Sequence, residues 1–164
     1  MAGALITLIL AMIVGGATAL LVNYIKEIRS RKDKMSFKES MDLTELPVVT
    51  FYTEDNNKLN FLLDTGSNTS YINEKELEHI EHEKLPYAST VLGLGGQKDC
   101  QFIQTNFYYK DYKFECTLQS INLSDTFEQI KKESGVSIHG ILGSRFFAQY
   151  KYVLDFNELI AYRK

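Results

Sequence analysis

The chain has 164 residues, 45% of them hydrophobic and 24% charged, with ten Phe, ten Tyr and only two Pro. That composition excludes a disordered chain and leaves room for one domain of ordinary size plus a short appendage. Two Cys exclude a disulfide-stapled mini-domain, and a net charge of −3 argues against a general nucleic-acid binder, which would want a basic face. Cys100 and Cys116 flank a strand-like stretch, where they could pair, although reduced buried thiols are the favoured reading. The charge is unevenly divided. Residues 1–34 carry Lys26, Arg29, Arg31, Lys32 and Lys34 against Glu27 and Asp33, a balance of +3, and the rest carries 13 basic and 19 acidic side chains, a balance of −6.

Residues 1–25 contain no charged side chain. As a helix, Ala2–Ile25 would run roughly 36 Å, enough for a hydrocarbon core of about 30 Å. Residues 2–25 therefore read as a transmembrane helix that ties the chain to a lipid bilayer. The competing reading is a cleaved signal peptide, with Ala17-Thr18-Ala19 as its small-residue site, but a basic leading region is missing and the apolar stretch is overlong. The basic residues after the span place that side in the cytoplasm by the positive-inside rule, which predicts a single-pass protein with a cytoplasmic body. The same cluster suits anionic headgroups. Thr7, Ala11, Gly15, Ala19 and Asn23 recur every four residues, a spacing that lets two membrane helices approach closely.

Residues 26–46 read as a basic juxtamembrane segment and linker, polar and without periodicity from 35 onward. From residue 47 the pattern turns to short β-rich runs. Pro47–Tyr52 and Leu59–Leu63 flank the turn-rich Glu54-Asp55-Asn56-Asn57 and predict a hairpin. Asn73 precedes a short helical pattern as its N-cap, with Glu76 at the third position. Strand-like Ser89–Leu92 leads into the loop Gly93-Leu94-Gly95-Gly96-Gln97. Strands follow at Gln101–Tyr109 and Tyr112–Leu118, linked by Lys110-Asp111. Asp125 caps a second helix that stops at Gly135. Val136–Leu142 is strand-like, Ser144–Tyr150 a short helix, and Tyr152–Phe156 with Leu159–Tyr162 a closing hairpin. Many short strands at regular spacing predict an all-β domain, closed or sandwich-like, with one or two short helices.

The chemistry gathers at Phe61-Leu62-Leu63-Asp64-Thr65-Gly66-Ser67. An acid directly after three large apolar residues should be partly desolvated, where the charged form is disfavoured. By itself the tripeptide is equally an ordinary strand-end turn. Two further features change that. One is the loop Leu92-Gly93-Leu94-Gly95-Gly96, flanked by β runs, whose glycines suit a tight hairpin tip. The other is Ile138-His139-Gly140-Ile141-Leu142-Gly143, an apolar strand running into Gly.

In this order, over residues 47–164, the sequence resembles the retropepsin-like aspartic proteases, the family of retroviral proteases and of each pepsin lobe. The resemblance implies a closed β domain and two Asp carboxylates facing each other across one water, sharing a proton because like charges so close cannot both ionise. It implies Asp64 as the catalytic residue, Thr65 bonding across a dimer, Gly66 giving a backbone contact beside the pair, and Ser67 supporting Asp64. Leu94, Gly95 and Gly96 would belong to a flap over an extended polypeptide substrate, and Gly140, Ile141, Leu142 and Gly143 would pack behind the catalytic loop. No metal and no cofactor is needed. His139 departs from the family pattern, which has an acidic or small residue there. Asp125-Thr126-Phe127 lacks the Gly and is rejected as a second site. One copy in about 118 residues then implies a homodimer with Asp64 from each subunit on the two-fold axis, and tethering in a membrane would raise the effective concentration of the two copies.

The expected function is a membrane-anchored homodimeric aspartic endopeptidase. The alternative is a catalytically idle module of the same fold used for dimerisation or peptide binding, and a third reading is a membrane scaffold with an unrelated β domain. His79 and His82, among four Glu, read as a solvated helix face rather than a metal site. Asn68-Thr69-Ser70 and Asn122-Leu123-Ser124 match glycosylation acceptors that a cytoplasmic body would leave unmodified.

Overall fold

The computed structural model describes residues 15–25, 34–93 and 96–163. The chain divides into two compact units, 1–34 and 35–164. In the first, residues 15–25 form an exposed helix, α1. Among the described residues no helix is long and apolar enough to cross a membrane. The expected span is described only from residue 15, so residues 2–14 lie outside the described residues, as do Thr7, Ala11 and the basic cluster at 26–33. Gly15, Ala19 and Asn23 fall in α1, and a Cβ built at Gly15 meets nothing within 4 Å.

The second unit starts earlier than expected. Met35–Ser36 form strand β1 and Lys38–Thr44 form helix α2. Met35 and Phe37 are each only 1% exposed and belong to the main core. Residues 35–46 are therefore part of the folded body and not a linker. Two apolar side chains two residues apart are a strand's inward face, and the partner, β10, lies at the far end of the chain: Met35 pairs with Ala161 and Ser36 with Ile160.

The remaining strands are β2 (Val48–Tyr52), β3 (Lys58–Leu63), β4 (Tyr71–Asn73), β5 (His82–Gly93), β6 (Gly96–Tyr109), β7 (Tyr112–Ile121), β8 (Gly140–Leu142), β9 (Tyr152–Asp155) and β10 (Ile160–Arg163). A 3₁₀ helix occupies Glu74–His79, and helices α3 and α4 occupy Ser124–Ser134 and Ser144–Tyr150. Seven strands order as β2-β3-β8-β4-β7-β6-β5, and Tyr52 on β2 pairs with Tyr108 on β6, which closes the sheet into a barrel. A smaller sheet, β1-β10-β9, brings the two ends of this unit together.

Alternation fixes which faces are buried. In β3, Leu59, Phe61 and Leu63 point into the core while the residues between them are half-buried. Phe51 of β2 meets Phe61, Phe114 and Phe146 edge-on, with ring centroids 5.7, 5.6 and 6.2 Å away. Such pairs add about 0.5–1.5 kcal/mol each beyond the area they bury. Cys100 and Cys116 are both buried thiols, and no disulfide joins them.

Four expected elements differ in extent or in their caps. β5 begins at His82, not Ser89, because its first residues pair with β6 before a bulge between Lys84 and Ala88 interrupts the register at Pro86. The strand expected over Val136–Leu142 is confined to Gly140–Leu142. Asn73 makes no cap for the 3₁₀ helix. It is fully buried, and its side-chain oxygen accepts the Leu123 N–H at 3.0 Å, 50 residues away. Similarly, the α3 boundary falls at Leu123, and Asn122 rather than Asp125 supplies a side-chain acceptor there, for Ser124 N–H at 3.1 Å. The α3 stop at Gly135 is as expected: its φ of 78° suits Gly, and its N–H reaches the Lys131 carbonyl.

Candidate active site

The site is built where β3 ends. β3 and β8 run parallel, pairing Phe61 with Gly140, Leu62 with Ile141 and Leu63 with Leu142. β4 flanks β8 on its other side, antiparallel. Beyond the last pair, the Asp64 N–H donates to the Leu142 carbonyl at 3.0 Å. The chain then turns sharply. The Ser67 N–H donates to the Asp64 carbonyl at 3.3 Å, and the Gly66 N–H donates to Asp64 Oδ1 at 2.8 Å. One carboxylate oxygen is thus held by a main-chain donor, and Asp64 is half-buried while Thr65 and Gly66 are exposed. A Cβ at Gly66 would stand 3.1 Å from Asp64 Oδ1 and crowd the carboxylate.

The loop is locked from behind. The Ser67 hydroxyl donates to the Thr69 carbonyl at 2.8 Å, so its tie to Asp64 runs through the main chain and not through the side chain. The Ser67 carbonyl accepts the Ser144 N–H at 2.7 Å at the start of α4. A Cβ at Gly143 would clash with the Thr69 carbonyl and lie 2.9 Å from the Ser67 oxygen, and one at Gly140 would clash with the Phe61 ring and the Tyr71 carbonyl. These two positions require Gly because two segments cross in contact there.

Ser70 was not among the sequence candidates. Its buried hydroxyl accepts the Gly143 N–H at 3.0 Å, and its carbonyl accepts the Gln119 N–H at 2.9 Å, tying the loop to both β7 and the Gly143 turn. It lies in Asn68-Thr69-Ser70, which the sequence offers more readily as a glycosylation acceptor. Asn60 is a second such residue. Its Oδ1 accepts the Thr50 hydroxyl at 2.7 Å and its Nδ2 donates to the Ser137 carbonyl at 2.8 Å.

The β5–β6 hairpin pairs as far as Leu92 with Gln97 and Gly93 with Gly96, while Leu94 and Gly95 lie outside the described residues. At its base, the Gln101 side-chain amide donates to the carbonyls of Leu85 and Tyr87 at 2.6 and 3.2 Å, filling the bulge around Pro86. Asp125 is exposed in the first turn of α3, apart from this constellation in sequence and in element. His79 is exposed, and His82 Nδ1 lies 3.0 Å from the Ile80 carbonyl.

No protein-family model matches the chain, and no curated protein sequence matches it. Solved structures do. The EIAV protease in complex with the inhibitor HBY-793 is 17% identical, with 70% of this chain and 97% of that one covered at a TM-score of 0.52. A retropepsin-like aspartic protease from Rickettsia conorii is 16% identical, with 70% and 80% covered at a TM-score of 0.50. At such identities the likeness establishes the fold: residues 35–164 form a mostly β body with a closed barrel of the retropepsin-like kind.

Proposed function

We propose that the chain is a membrane-anchored aspartic endopeptidase, active as a homodimer that brings together Asp64 from each subunit. The observation that carries this reading is the Asp64 loop itself: a half-buried carboxylate at the end of β3, oriented by the Gly66 N–H at 2.8 Å, in a retropepsin-like fold. The anchor and the cytoplasmic body are supported by the uncharged run at 1–25 and the basic residues after it.

The chemistry needs no covalent intermediate. Two Asp64 carboxylates hold one proton between them, and the titration belongs to the pair. The ionised partner takes a proton from a water, whose oxygen attacks the scissile carbonyl carbon, while the protonated partner hydrogen-bonds the carbonyl oxygen. The resulting diol breaks its C–N bond as a proton passes to the leaving amine, and the dyad returns to its shared-proton state. In this reading Thr65 bonds across the dimer, the β5–β6 hairpin closes over an extended polypeptide, and Gly140–Gly143 keep the loop in register.

The test is cleavage of a mixed peptide library by the full chain in vesicles, beside the Asp64→Asn variant and with pepstatin as probe. The reading expects cleavage that Asp64→Asn lowers by about 10²–10⁴-fold. Cleavage that survives the substitution would refute it, and silence from a chain shown to be dimeric by cross-linking would favour the idle module.

A further inference from the structure

His139 stands at the head of β8, where the strand meets β3 and β4. Its N–H donates to the Asn60 carbonyl at 2.9 Å, and its carbonyl accepts the Asn73 N–H at 2.9 Å. Its ring closes the same junction: Nδ1 accepts the Asn60 N–H at 2.9 Å. The imidazole thus stands in for a ladder carbonyl at the start of the β3–β8 pair. Four residues further along β3 comes Asp64, and three further along β8 comes Leu142, whose carbonyl holds the Asp64 N–H. The ring and the carboxylate sit at opposite ends of one short ladder.

The geometry fixes the tautomer. A nitrogen that accepts an N–H carries no proton, so the neutral ring has its hydrogen on Nε2. A proton added at Nδ1 would set donor against donor and leave the Asn60 N–H without its acceptor. The charged groups facing the ring come from two elements: Lys75 and buried Glu76 of the 3₁₀ helix, and Lys131 of α3. Glu128 and Lys132 of α3 line the same pocket of about 340 Å³.

We propose that His139 is a positioning residue, an acid-sensitive latch whose neutral ring keeps the β3–β8 ladder, and with it the Asp64 loop, in register. The proposal rests on the reading of Asp64 as the catalytic acid only for its effect on activity. Burial pushes the ring below the usual histidine range; Glu76 and a backbone hydrogen bond with Asn60 oppose this without reversing it, and Lys75 and Lys131 add to it. For a group whose folded value is depressed, the stabilisation is present above the ordinary value of 6.5 and is lost as pH falls through the folded value. The latch therefore holds near neutrality and opens on acidification, a second acid limb separate from the titration of the Asp pair.

Two variants separate the latch from mere packing. His139→Asn puts a side-chain oxygen near the place of Nδ1 and cannot titrate there, and His139→Leu removes the acceptor. In the full chain in detergent micelles, kcat should fall roughly ten- to a hundredfold in His139→Leu with KM little changed. His139→Asn should restore kcat and carry it to lower pH than the wild type. An acid limb unchanged in His139→Asn overturns the proposal. A second arm needs no activity and no folded Leu variant: ¹⁵N spectra of the wild-type chain labelled at His, Asn and Gly. They should show an unprotonated Nδ1 at pH 7, and Asn60 and Gly66 amide signals that move together as the His139 ring titrates. A protonated Nδ1 at pH 7, or Asn60 and Gly66 signals that stay still during that titration, overturns the latch. If no variant cleaves peptide, the peptidase reading fails, and this second arm still decides the latch.

Discussion

The Gly143 N–H donates to the Ser70 hydroxyl at 3.0 Å in a buried setting, and this single bond fastens the turn after β8 to the loop that carries Asp64. It belongs to a set with Asp64 N–H to Leu142 O and Ser144 N–H to Ser67 O, so the loop that carries the carboxylate is held by a segment 78 to 80 residues beyond Asp64. Replacing Ser70 by Ala leaves a buried N–H without its partner. The expected cost is about 1–3 kcal/mol, read as a lowered midpoint in denaturant unfolding. A variant as stable as the wild type would show that the bond contributes nothing.

Gly143→Ala forces a methyl against the Thr69 carbonyl, which is main chain and cannot swing away. We expect destabilisation of about 1–3 kcal/mol from overpacking. Peptide cleavage should fall further than stability alone explains, because the shift is delivered to the Ser67–Thr69 segment beside Asp64. Gly16→Ala is the control, since its Cβ would meet nothing within 4 Å and it stands off the Gly15, Ala19 and Asn23 stripe.

Chains begun at different points test where the body starts. Removing residues 1–34 keeps Met35 and Phe37, whereas removing 1–46 strips them from the core along with β1 and α2. Losing two fully buried side chains of this size costs several kcal/mol by the usual large-to-small scale, about 2–5 for each, against a typical total of about 5–15. The shorter chain should lose cooperative thermal unfolding, and the longer one should keep it. Equal unfolding curves for the two would contradict the assignment of residues 35–46 to the fold.

Burial pushes the Cys116 thiol up to about 12 from its ordinary 9.0. A folded value raised above the unfolded one contributes stability that is fully present below 9.0 and is lost as pH rises through about 12. The thiolate is the reactive form, so Cys116 should resist iodoacetamide at pH 8 in the folded chain and react once urea unfolds it. Labelling at equal rates in both states would show that the thiol is accessible in the fold.

Much of this was legible because the signals were local. Ser144–Tyr150 has the predicted helix bounds, and Gly135 ends α3 where a positive φ is needed. Lys110-Asp111 closes the β6–β7 hairpin with Tyr109 opposite Tyr112, and Tyr152–Asp155 turns back on Ile160–Arg163. What escaped was set by distant partners. Met35 and Phe37 look incidental in a polar segment until β10 supplies a surface to pair with. His82-Glu83-Lys84 carries no apolar alternation, and Pro86 hides the strand that resumes beyond the bulge. Asn73 has the right spacing for a cap, yet its amide serves Leu123, just past the end of the neighbouring strand β7. At the site, the Asp64 tripeptide and the Gly140–Gly143 segment were visible as motifs, whereas Ser70, Asn60 and the ring of His139 act through main-chain groups far away in sequence.

The central claim is that two copies of Asp64 form one catalytic unit, and subunit mixing tests it most directly. Full-length wild type and Asp64→Asn are combined in vesicles at equal amounts, allowed to exchange, and assayed for peptide cleavage. If each active site needs both carboxylates, only the wild-type pairs work, and activity falls to about a quarter of that of the same total amount of wild type alone. A fall to about one half, in proportion to the wild-type chain present, would contradict the shared site, because each chain would then be acting alone.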